Sequence, residues 1–218
     1  QGTGLAAGDA PLGRALWVKP YAVSEEQGMR DGVAGYDADS QGLVAGGDMA
    51  LGKRLRAGVM LGYTQTDVDG KGPGRNQRTI DSYQVGAYGD YTAESWYAEG
   101  MLSYTRNALD STRYITFGGL NRRADADYNS DQVSARLSAG RPYRLGGTHT
   151  LTPTAGVQLT HVMTETYTET GAGSLNRTVD QEARTVARLR TGVTYGATVD
   201  TGAGTLRPEV RAGVSYDA

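Results

Sequence analysis

The amino-acid sequence predicts an all-β protein, folded as an antiparallel up-and-down transmembrane β-barrel. Apolar and polar residues alternate along most of the chain, which is the period of a strand with one apolar face. Short and long connections alternate between the segments that carry this pattern. The 218 residues include 32 glycines and one phenylalanine, a composition that weakens long helices and leaves few large side chains for a soluble core.

The alternation is clear in the third predicted strand. There the odd-numbered residues from Leu55 to Tyr63 are apolar, whereas the even-numbered residues from Arg56 to Thr64 are mostly polar residues or glycine. Similar alternation divides the chain into nine predicted strands, which cover residues 15–24, 38–51, 54–68, 79–92, 95–108, 124–144, 149–164, 182–199 and 204–217.

The connections between these strands fall into two classes. The tight hairpins are Leu51–Arg54, Thr92–Ser95, Leu145–Thr148 and Asp200–Gly204. The long polar connections are Glu25–Asp37, Asp69–Arg78, Leu109–Arg123 and Glu165–Gln181. Because the two classes alternate, a meander places every tight turn at one end of the sheet and every long loop at the other. Such an asymmetry is typical of outer-membrane barrels.

The apolar face has two possible environments. A transmembrane barrel turns it outward into lipid, whereas a soluble β-barrel turns it inward around a small apolar ligand. Tyr83 and Tyr91 lie eight residues apart on one face, which is roughly 19 Å along the membrane normal for a strand tilted by about 45°. This separation approximates that of two aromatic belts and favours the transmembrane barrel. The soluble alternative predicts that Leu61, Val85 and Val157 point inward.

The polar face of a transmembrane barrel lines its lumen. The sequence places charges of both signs on this face, namely Arg56, Arg136, Arg188, Arg190, Arg207 and Arg211 with Asp48, Asp90, Glu99 and Glu209. We therefore expect a hydrated lumen of mixed charge, without the single sign that selects ions.

Composition excludes several classes of function. The net charge of −2 is too small to indicate nucleic-acid binding, and no apolar run reaches the roughly 18 residues of a membrane helix. The absence of cysteine removes thiolate nucleophiles and cysteine metal sites. Gly2, Gly4 and Ala7 fit a degenerate dinucleotide-binding pattern, but no predicted strand precedes them and no helix follows.

Two further patterns resemble metal sites. His149 and His161 are the only histidines, and they are predicted at a hairpin edge and at a strand end. Asp67–Gly70 begins like a calcium loop, but the next ligand position has no acid and no closing Glu follows. We therefore assign no catalytic residue, no cofactor site and no metal site, and we expect the chain not to be an enzyme.

Several stretches resemble the C-terminal translocator (β-barrel) domain of bacterial autotransporters. The most specific is the loop Tyr-Thr-Glu-Thr-Gly-Ala-Gly at 167–173. The others, in matching order, are Leu16–Tyr21, Gly35–Asp39, Leu61–Tyr63 and Asp81–Gly86. The resemblance covers almost the whole chain, and these motifs are structural in character.

The resemblance implies a twelve-stranded outer-membrane barrel, without cofactors, that anchors an N-terminal passenger and provides its route to the cell surface by type V secretion. It also implies contacts with outer-membrane lipid, the barrel-assembly machinery and periplasmic chaperones. We expect residues 1–14 to be a linker remnant and residues 15–218 to be the barrel domain, incomplete at its C-terminal end with about nine strands present. The segment before Leu16 is shorter than the pore helix of the family.

Some residues have a role only if the resemblance extends to the lumen. Some relatives cleave their own passenger with acidic pore residues, for which Asp48, Asp90 and Glu99 are the candidates here. A linker could contact three residues that face the predicted lumen, Trp17, Lys19 and Tyr21, although packing alone also explains Trp17. The alternative function is an outer-membrane porin or small surface-binding barrel whose long loops recognise ligands.

Overall fold

The computed structural model describes residues 13–30, 32, 34–72, 76–201 and 204–217. In chain order the strands are β1 (Arg14–Gln27), β2 (Tyr36–Ala50), β3 (Leu55–Gly70), β4 (Gln77–Thr92), β5 (Tyr97–Phe117), β6 (Leu120–Gly140), β7 (Tyr143–Arg144), β8 (His149–Thr164), β9 (Tyr167–Thr168), β10 (Thr178–Val179), β11 (Arg184–Ala197), β12 (Val199–Thr201), β13 (Gly204–Leu206) and β14 (Glu209–Asp217). A single 3-10 turn, Gly173–Leu175, accompanies them in the described ranges. No helix in those ranges has the length and apolar character needed to cross a membrane.

Nine of the strands form one continuous antiparallel sheet. Their order is β1-β2-β3-β4-β5-β6-β8-β11-β14, and the short β7 pairs with β8. Each long strand therefore lies beside the next one along the chain, which confirms the predicted up-and-down meander of nine strands. Two small hairpins, β9 with β10 and β12 with β13, are outside this strand order. The first of them lies beside β6, where Thr170 bridges to Asp125. We call the two ends of the sheet the short-turn end and the long-loop end.

The predicted loop Leu109–Arg123 is wrong. β5 and β6 stay paired as far as Phe117 and Leu120, and only Gly118 and Gly119 connect them. Both glycines have positive φ, 54° and 81°, as a two-residue type I′ turn requires. About 10 residues of a strand suffice to cross a bilayer, so each of these 21-residue strands extends well beyond it. We call Leu109–Tyr128 the projecting hairpin.

Other strand ends differ from the prediction by a few residues. β3 runs to Gly70 and β4 starts at Gln77, so the loop between them is shorter than predicted. At the short-turn end, β11 stops at Ala197, and the small hairpin β12–β13 occupies the connection to β14. β1 begins at Arg14, within the predicted linker. Residues 1–12 of that linker, including the glycine pattern considered above, lie outside the described residues.

The two faces of the sheet differ sharply in exposure. Leu61 and Leu102 on one face are 64% and 57% exposed, whereas Met60 and Ser103 on the other are 5% and 3% exposed. Adjacent residues of a strand point to opposite faces, so the crowded side is the concave side of a curled sheet. We call this side the inner face and the opposite side the convex face.

The soluble alternative is wrong about which way the apolar residues point. Leu61 and Val85 are cross-strand partners on the convex face, and both are exposed there. Val157 pairs with Leu137, which is 57% exposed on the same face. Because cross-strand partners share a face, all these apolar side chains point away from the concave interior.

Aromatic residues border the apolar part of the convex face. Toward the long-loop end, the rings of Tyr63 and Tyr83 pack with centroids 5.3 Å apart. Toward the short-turn end, Tyr91 and Trp96 pack with centroids 5.4 Å apart. This arrangement agrees with the two belts expected from the sequence, in which amphipathic rings lie at the edges of an apolar band.

Glycines of β2 allow aromatic residues of β1 to lie flat on the inner face. A Cβ atom added to Gly46 would meet the Trp17 ring at 2.5 Å and the Val59 carbonyl oxygen at 2.6 Å. We expect Gly46→Ala to reduce the free energy of unfolding by about 1–3 kcal/mol through overpacking. Urea titration of the domain in phospholipid vesicles measures this change.

Gly62→Ala is the matched control for Gly46→Ala. A Cβ atom at Gly62 would meet its nearest neighbours at 3.5 Å, which is ordinary contact. An equal loss of stability in both variants would show that strand glycine itself, and not the space for Trp17, determines the effect.

Candidate functional site

The inner face is the candidate functional surface, and strand register divides it into rows of cross-strand partners. One such row consists of Trp17, Gly46, Met60, Gly86, Ser103, Ser134 and Thr160. Members of a row lie on the same face and at nearly the same height. The rows therefore show which residues surround the concave interior at each level.

Trp17 packs against the inner face near the short-turn end. Its side chain is 4% exposed and contacts Met60 and Tyr88. The indole Nε1 donates a hydrogen bond to the Tyr88 hydroxyl at 2.7 Å. Lys19 Nζ lies 5.5 Å from the centre of the Trp17 ring, within cation–π range. Trp17 thus fastens β1 to β3 and β4, and packing explains its position.

An enclosed ion pair lies beside this cluster. The Asp48 side chain has no exposed surface and pairs with Arg56, whose side chain is 25% exposed. The Tyr88 hydroxyl donates to Asp48 Oδ2 at 2.9 Å. A chain of hydrogen bonds therefore runs from Trp17 through Tyr88 to Asp48, and it connects the first four strands of the sheet.

The middle of the inner face carries no charge between β2 and β8. Four successive rows there contain no Asp, Glu, Lys, Arg or His among the described residues. These rows form the neutral band, which comprises Gly46, Met60, Gly86, Ser103, Ser134 and Thr160; Val44, Gly62, Gln84, Thr105, Gln132 and Val162; Gly42, Thr64, Ser82, Asn107, Ser130 and Thr164; and Ser40, Thr66, Ile80, Leu109 and Tyr128.

The predicted charges of both signs are present on the inner face, but they are concentrated outside the neutral band. The ten charged residues named from the sequence belong to rows at the short-turn end or to the connection beside it. Several are paired there, as Arg56 is with Asp48 and Arg211 with Glu209. Pairing and proximity to bulk water lower the cost of charge within a membrane.

Polar groups of the neutral band bond to one another along the wall. Ser82 donates to Asn107 Oδ1 at 2.7 Å, and Asn107 Nδ2 donates to Ser130 Oγ at 3.1 Å. Ser134 Oγ donates to Thr160 Oγ1 at 3.2 Å. These mutual bonds satisfy part of the wall and leave its remaining hydrogen-bonding capacity for water or for a polypeptide.

The loop Glu165–Gln181 continues the course of β8 along the edge of β6, and its Tyr167 and Glu169 side chains contact the inner face of the projecting hairpin. The Tyr167 ring stacks on Tyr128 with centroids 3.9 Å apart and planes 8° apart. Ile80 and Leu109, which share a row with Tyr128, belong to the same apolar cluster. Thr170 forms two backbone hydrogen bonds with Asp125, at 2.8 and 2.9 Å. The loop consequently extends the wall beside β6 at the long-loop end.

An ion pair fixes the middle of this loop. Arg113 Nε donates to Glu169 Oε1 at 2.8 Å, and a second nitrogen of the same guanidinium contacts Oε2. Arg113 Nη2 also donates to the Leu175 carbonyl oxygen at 3.0 Å, and the Arg177 backbone N–H donates to Glu169 Oε2 at 3.0 Å. Glu169 is 8% exposed, so its carboxylate is largely enclosed.

This geometry explains the Tyr-Thr-Glu-Thr-Gly-Ala-Gly motif. Tyr167 supplies the stacked ring, Glu169 the carboxylate and Ala172 a buried methyl group that is 3% exposed. Gly171 has a φ of +92°, and a Cβ atom there would lie 2.8 Å from the Arg123 carbonyl oxygen. The motif therefore consists of residues that fit one docked loop conformation.

Loop docking should depend on pH. Hydrogen bonds from Arg113 hold the pKa of Glu169 below its usual range. A depressed folded-state pKa contributes stability that is complete above the unfolded value of about 4.3 and is lost as pH falls through the folded value. We expect limited proteolysis of residues 165–181 to stay slow from pH 7 to about pH 5 and to become faster only below the unfolded value of about 4.3.

The Glu169→Gln variant provides the comparison for this pH effect. It should show faster proteolysis of the loop at pH 7, with little further change on acidification, because the ionised carboxylate is already missing. A wild-type loop that loosens between pH 7 and pH 5 would contradict the assignment to Glu169.

The structure does not bring the metal candidates together. His149 and His161 lie at opposite ends of β8, where His149 Nδ1 contacts the Tyr195 hydroxyl at 2.7 Å and His161 Nδ1 contacts Thr185 Oγ1 at 2.8 Å. Asp67 and Asp69 lie within β3 and not in a calcium loop. Within the described part of the chain, no group of three or more His, Cys, Asp or Glu side chains could hold a metal ion.

The residues predicted to face the lumen lie on the inner face, as expected. Asp90 pairs in register with both Arg56 and Glu99, one row from Asp48. Tyr21 lies on the inner face as predicted, and its hydroxyl contacts Thr64 across β2. The contacts of Asp48 and Asp90 are consistent with a structural role at the short-turn end, and the Tyr21 contact joins β1 to β3 within the neutral band.

Sequence reasoning missed the contacts that join distant strands. Trp17 and Tyr88 are 71 residues apart, and Arg113 and Glu169 are 56 apart. The available signals were an aromatic residue on the glycine-rich polar face of β4 and a lone Glu within a glycine-containing loop. Neither signal identifies its partner.

The sequence matches the family described as "Autotransporter beta-domain" over residues 16–218. Outer membrane protein B of Rickettsia japonica is 27% identical over 223 residues, which cover 97% of this chain and 14% of that protein. The extracellular serine protease of Serratia marcescens is 26% identical over 185 residues, which cover 85% of this chain and 17% of that protein. The chain thus spans only a small part of the length of these relatives.

Two solved structures share the fold. The β-domain of the Bordetella autotransporter BrkA superimposes with a TM-score of 0.73 at 26% identity, covering 94% of this chain and 80% of that chain. The translocator domain of the autotransporter NalP from Neisseria meningitidis gives a TM-score of 0.72 at 18% identity, covering 94% and 67%. The NalP likeness concerns the fold alone, and both together confirm the predicted fold class.

Proposed function

The chain belongs to the autotransporter β-domain family, and from this membership we propose that its sheet is the wall of a translocator for an N-terminal passenger. The domain lies in the bacterial outer membrane and takes part in type V secretion. In this proposal the wall anchors the passenger in the membrane, and the space before its inner face is the route to the cell surface.

One observation carries the proposal: the sheet is apolar on its convex face and polar on its inner face. Exposed leucines and valines between two aromatic belts match the surface that a bilayer contacts. The neutral band offers hydroxyl and amide groups, which can hydrate a passage or bond to the backbone of a polypeptide. A soluble protein would require the opposite arrangement.

We propose that the domain itself is not an enzyme. Asp48 is fully enclosed by Arg56 and Tyr88, so we assign it to stability rather than to cleavage of a passenger. The Asp48 side chain has no exposed surface that a scissile bond could approach. Movement of a passenger through the lumen needs no cofactor and no metal site from these residues.

The proposal also includes the lipid and protein partners of the domain and its limits in the sequence. Outer-membrane lipid would contact the convex face, and the barrel-assembly machinery with periplasmic chaperones would deliver the chain, as the family implies. We retain residues 15–218 as the barrel domain and residues 1–14 as the linker, with Arg14 of β1 at their boundary.

Surface display of the passenger tests this function. An epitope placed N-terminal to Gln1 in the full-length protein should become accessible to protease on intact cells. A variant without β3 and β4 should keep the epitope inside, because the sheet is interrupted. An epitope that remains in the periplasm, while the intact domain is assembled in the outer membrane, would overturn the proposal and favour the porin alternative.

A further inference from the structure

The projecting hairpin and the docked loop form one built unit at the exit of the lumen. Leu109 and Tyr128 lie at the end of the neutral band nearest the long-loop end, and Tyr167 of the loop packs against the same cluster. The unit is held by a ring stack, two backbone hydrogen bonds and the Arg113–Glu169 ion pair. The proposed function does not use any of these contacts.

The direction in which the loop folds determines what it can touch. Arg113 pairs in register with Ala124, and this row belongs to the inner face, as do Leu109 and Tyr128 two rows below. The loop therefore lies beside β6 and directs its Tyr167 and Glu169 side chains to the concave side, beyond the neutral band. An ordinary surface loop would instead leave the end of β8 freely toward solvent.

The position of the start of β1 indicates which polypeptide passes the concave side. β1 begins at Arg14 on the short-turn end, and its first row lies beside Met49 and Ala50 at the same end. Under the proposed function, the polypeptide that precedes β1 must pass the inner face and leave at the long-loop end. The docked loop borders that path, with Tyr167 and Glu169 on the side that faces it.

We propose that the Glu165–Gln181 loop is one wall of the outer exit and contacts the exported polypeptide. Arg113 and Glu169 are positioning residues that hold the loop beside β6. The partner is an extended or helical segment of this protein's own chain, recognised through backbone and small polar contacts. This inference rests on the proposed function, because without export no polypeptide passes the loop.

Photo-crosslinking of a stalled export intermediate tests the inference. A disulfide-locked reporter domain, fused N-terminal to Gln1 in the full-length protein, stops export with a segment in the lumen. A photo-reactive residue at Ser174, which is exposed on the docked loop, should crosslink to that segment. The same residue placed at Gln65, on the convex face near the long-loop end, should not.

Release of the loop should abolish the contact without abolishing assembly. We expect Glu169→Gln to lower the crosslinking yield from Ser174 by about fivefold or more, because loss of a charge-assisted pair in an enclosed site favours undocking. The matched control is Arg123→Gln, which removes an exposed ion pair with Asp125 on the opposite face of the same hairpin. This control should leave the yield unchanged.

A variant in which the two charges are exchanged tests whether the ion pair positions the loop or whether single substitutions only damage the fold. Arg113→Glu combined with Glu169→Arg should recover part of the yield, whereas either substitution alone should not. Equal yields from wild type and Glu169→Gln would overturn the inference, as would wild-type yields from Ser174 no higher than those from Gln65. Failure of an unlocked reporter to reach the surface in wild type would overturn the proposed function instead.

Discussion

Replacing Asp48 by alanine should destabilise the domain by about 3 kcal/mol. Removal of one partner from a buried ion pair usually costs 3–5 kcal/mol, because the other charge stays enclosed without compensation. We expect the lower end of that range, since a quarter of the Arg56 side chain remains exposed to water. The Tyr88 hydroxyl would also lose its acceptor.

Urea titration of the domain in phospholipid vesicles measures the free energy of unfolding for this variant. Glu94→Ala is the matched control, because Glu94 pairs with Arg54 in an exposed turn, and such pairs contribute at most about 1 kcal/mol. Asp48→Asn should fall between the two, since an amide still accepts from Tyr88. If Asp48→Ala were as mild as Glu94→Ala, the Asp48 network would not stabilise the wall.

Arginine on the convex face should also be strongly destabilising. Val85 lies between Leu61 and Tyr104 in one row of that face, within the proposed apolar band and about 5 Å along the membrane normal from the midpoint between Tyr83 and Tyr91. We expect Val85→Arg to cost about 2–4 kcal/mol, the range for arginine near the bilayer midplane of an outer-membrane barrel.

The neighbouring residue supplies the control for Val85. Gln84 belongs to the neutral band on the inner face, where an arginine can reach water, so Gln84→Arg should change the free energy of unfolding only slightly. Vesicle unfolding of the two variants compares the same side chain on the two faces of one strand. Equal penalties would count against the orientation of the sheet.

The membrane-spanning part of the fold follows from the sequence because lipid imposes a strict pattern. Every second residue of β3 and β4 must be apolar where the strand crosses the bilayer, so the period of two is visible without the structure. The tight hairpins are equally local. These signals suffice for strand order and for which face is apolar.

The projecting hairpin could not be predicted in this way. Beyond the bilayer the convex face of β5 and β6 no longer contacts lipid, and the inner face packs against a distant loop through residues such as Ala126 and Tyr128. Lipid therefore no longer imposes the alternation, and the segment resembles a loop. The glycine pair Gly118–Gly119 is the remaining signal, since glycines at both central positions favour a two-residue turn. That signal was overridden by the polar composition around it.

The inner face was predicted in character but not in detail. Its polarity follows from the alternation, whereas the concentration of charge at the short-turn end depends on strand register. A difference of one row moves Asp48 from the pair with Arg56 into the neutral band. The Arg113–Glu169 pair depends on how a loop packs beside a hairpin that is distant in sequence, and no local rule encodes that arrangement.

Collision accessibility of spin labels tests the inside-out sheet most directly. Because the chain contains no cysteine, a single cysteine at Leu61 or at Gln84 can be labelled without background in the assembled domain. The label at residue 61 should collide more often with lipid-soluble oxygen, and the label at residue 84 more often with a water-soluble nickel chelate. The reverse order would mean that the leucine lies in the interior and the glutamine against the acyl chains, which contradicts a translocator wall.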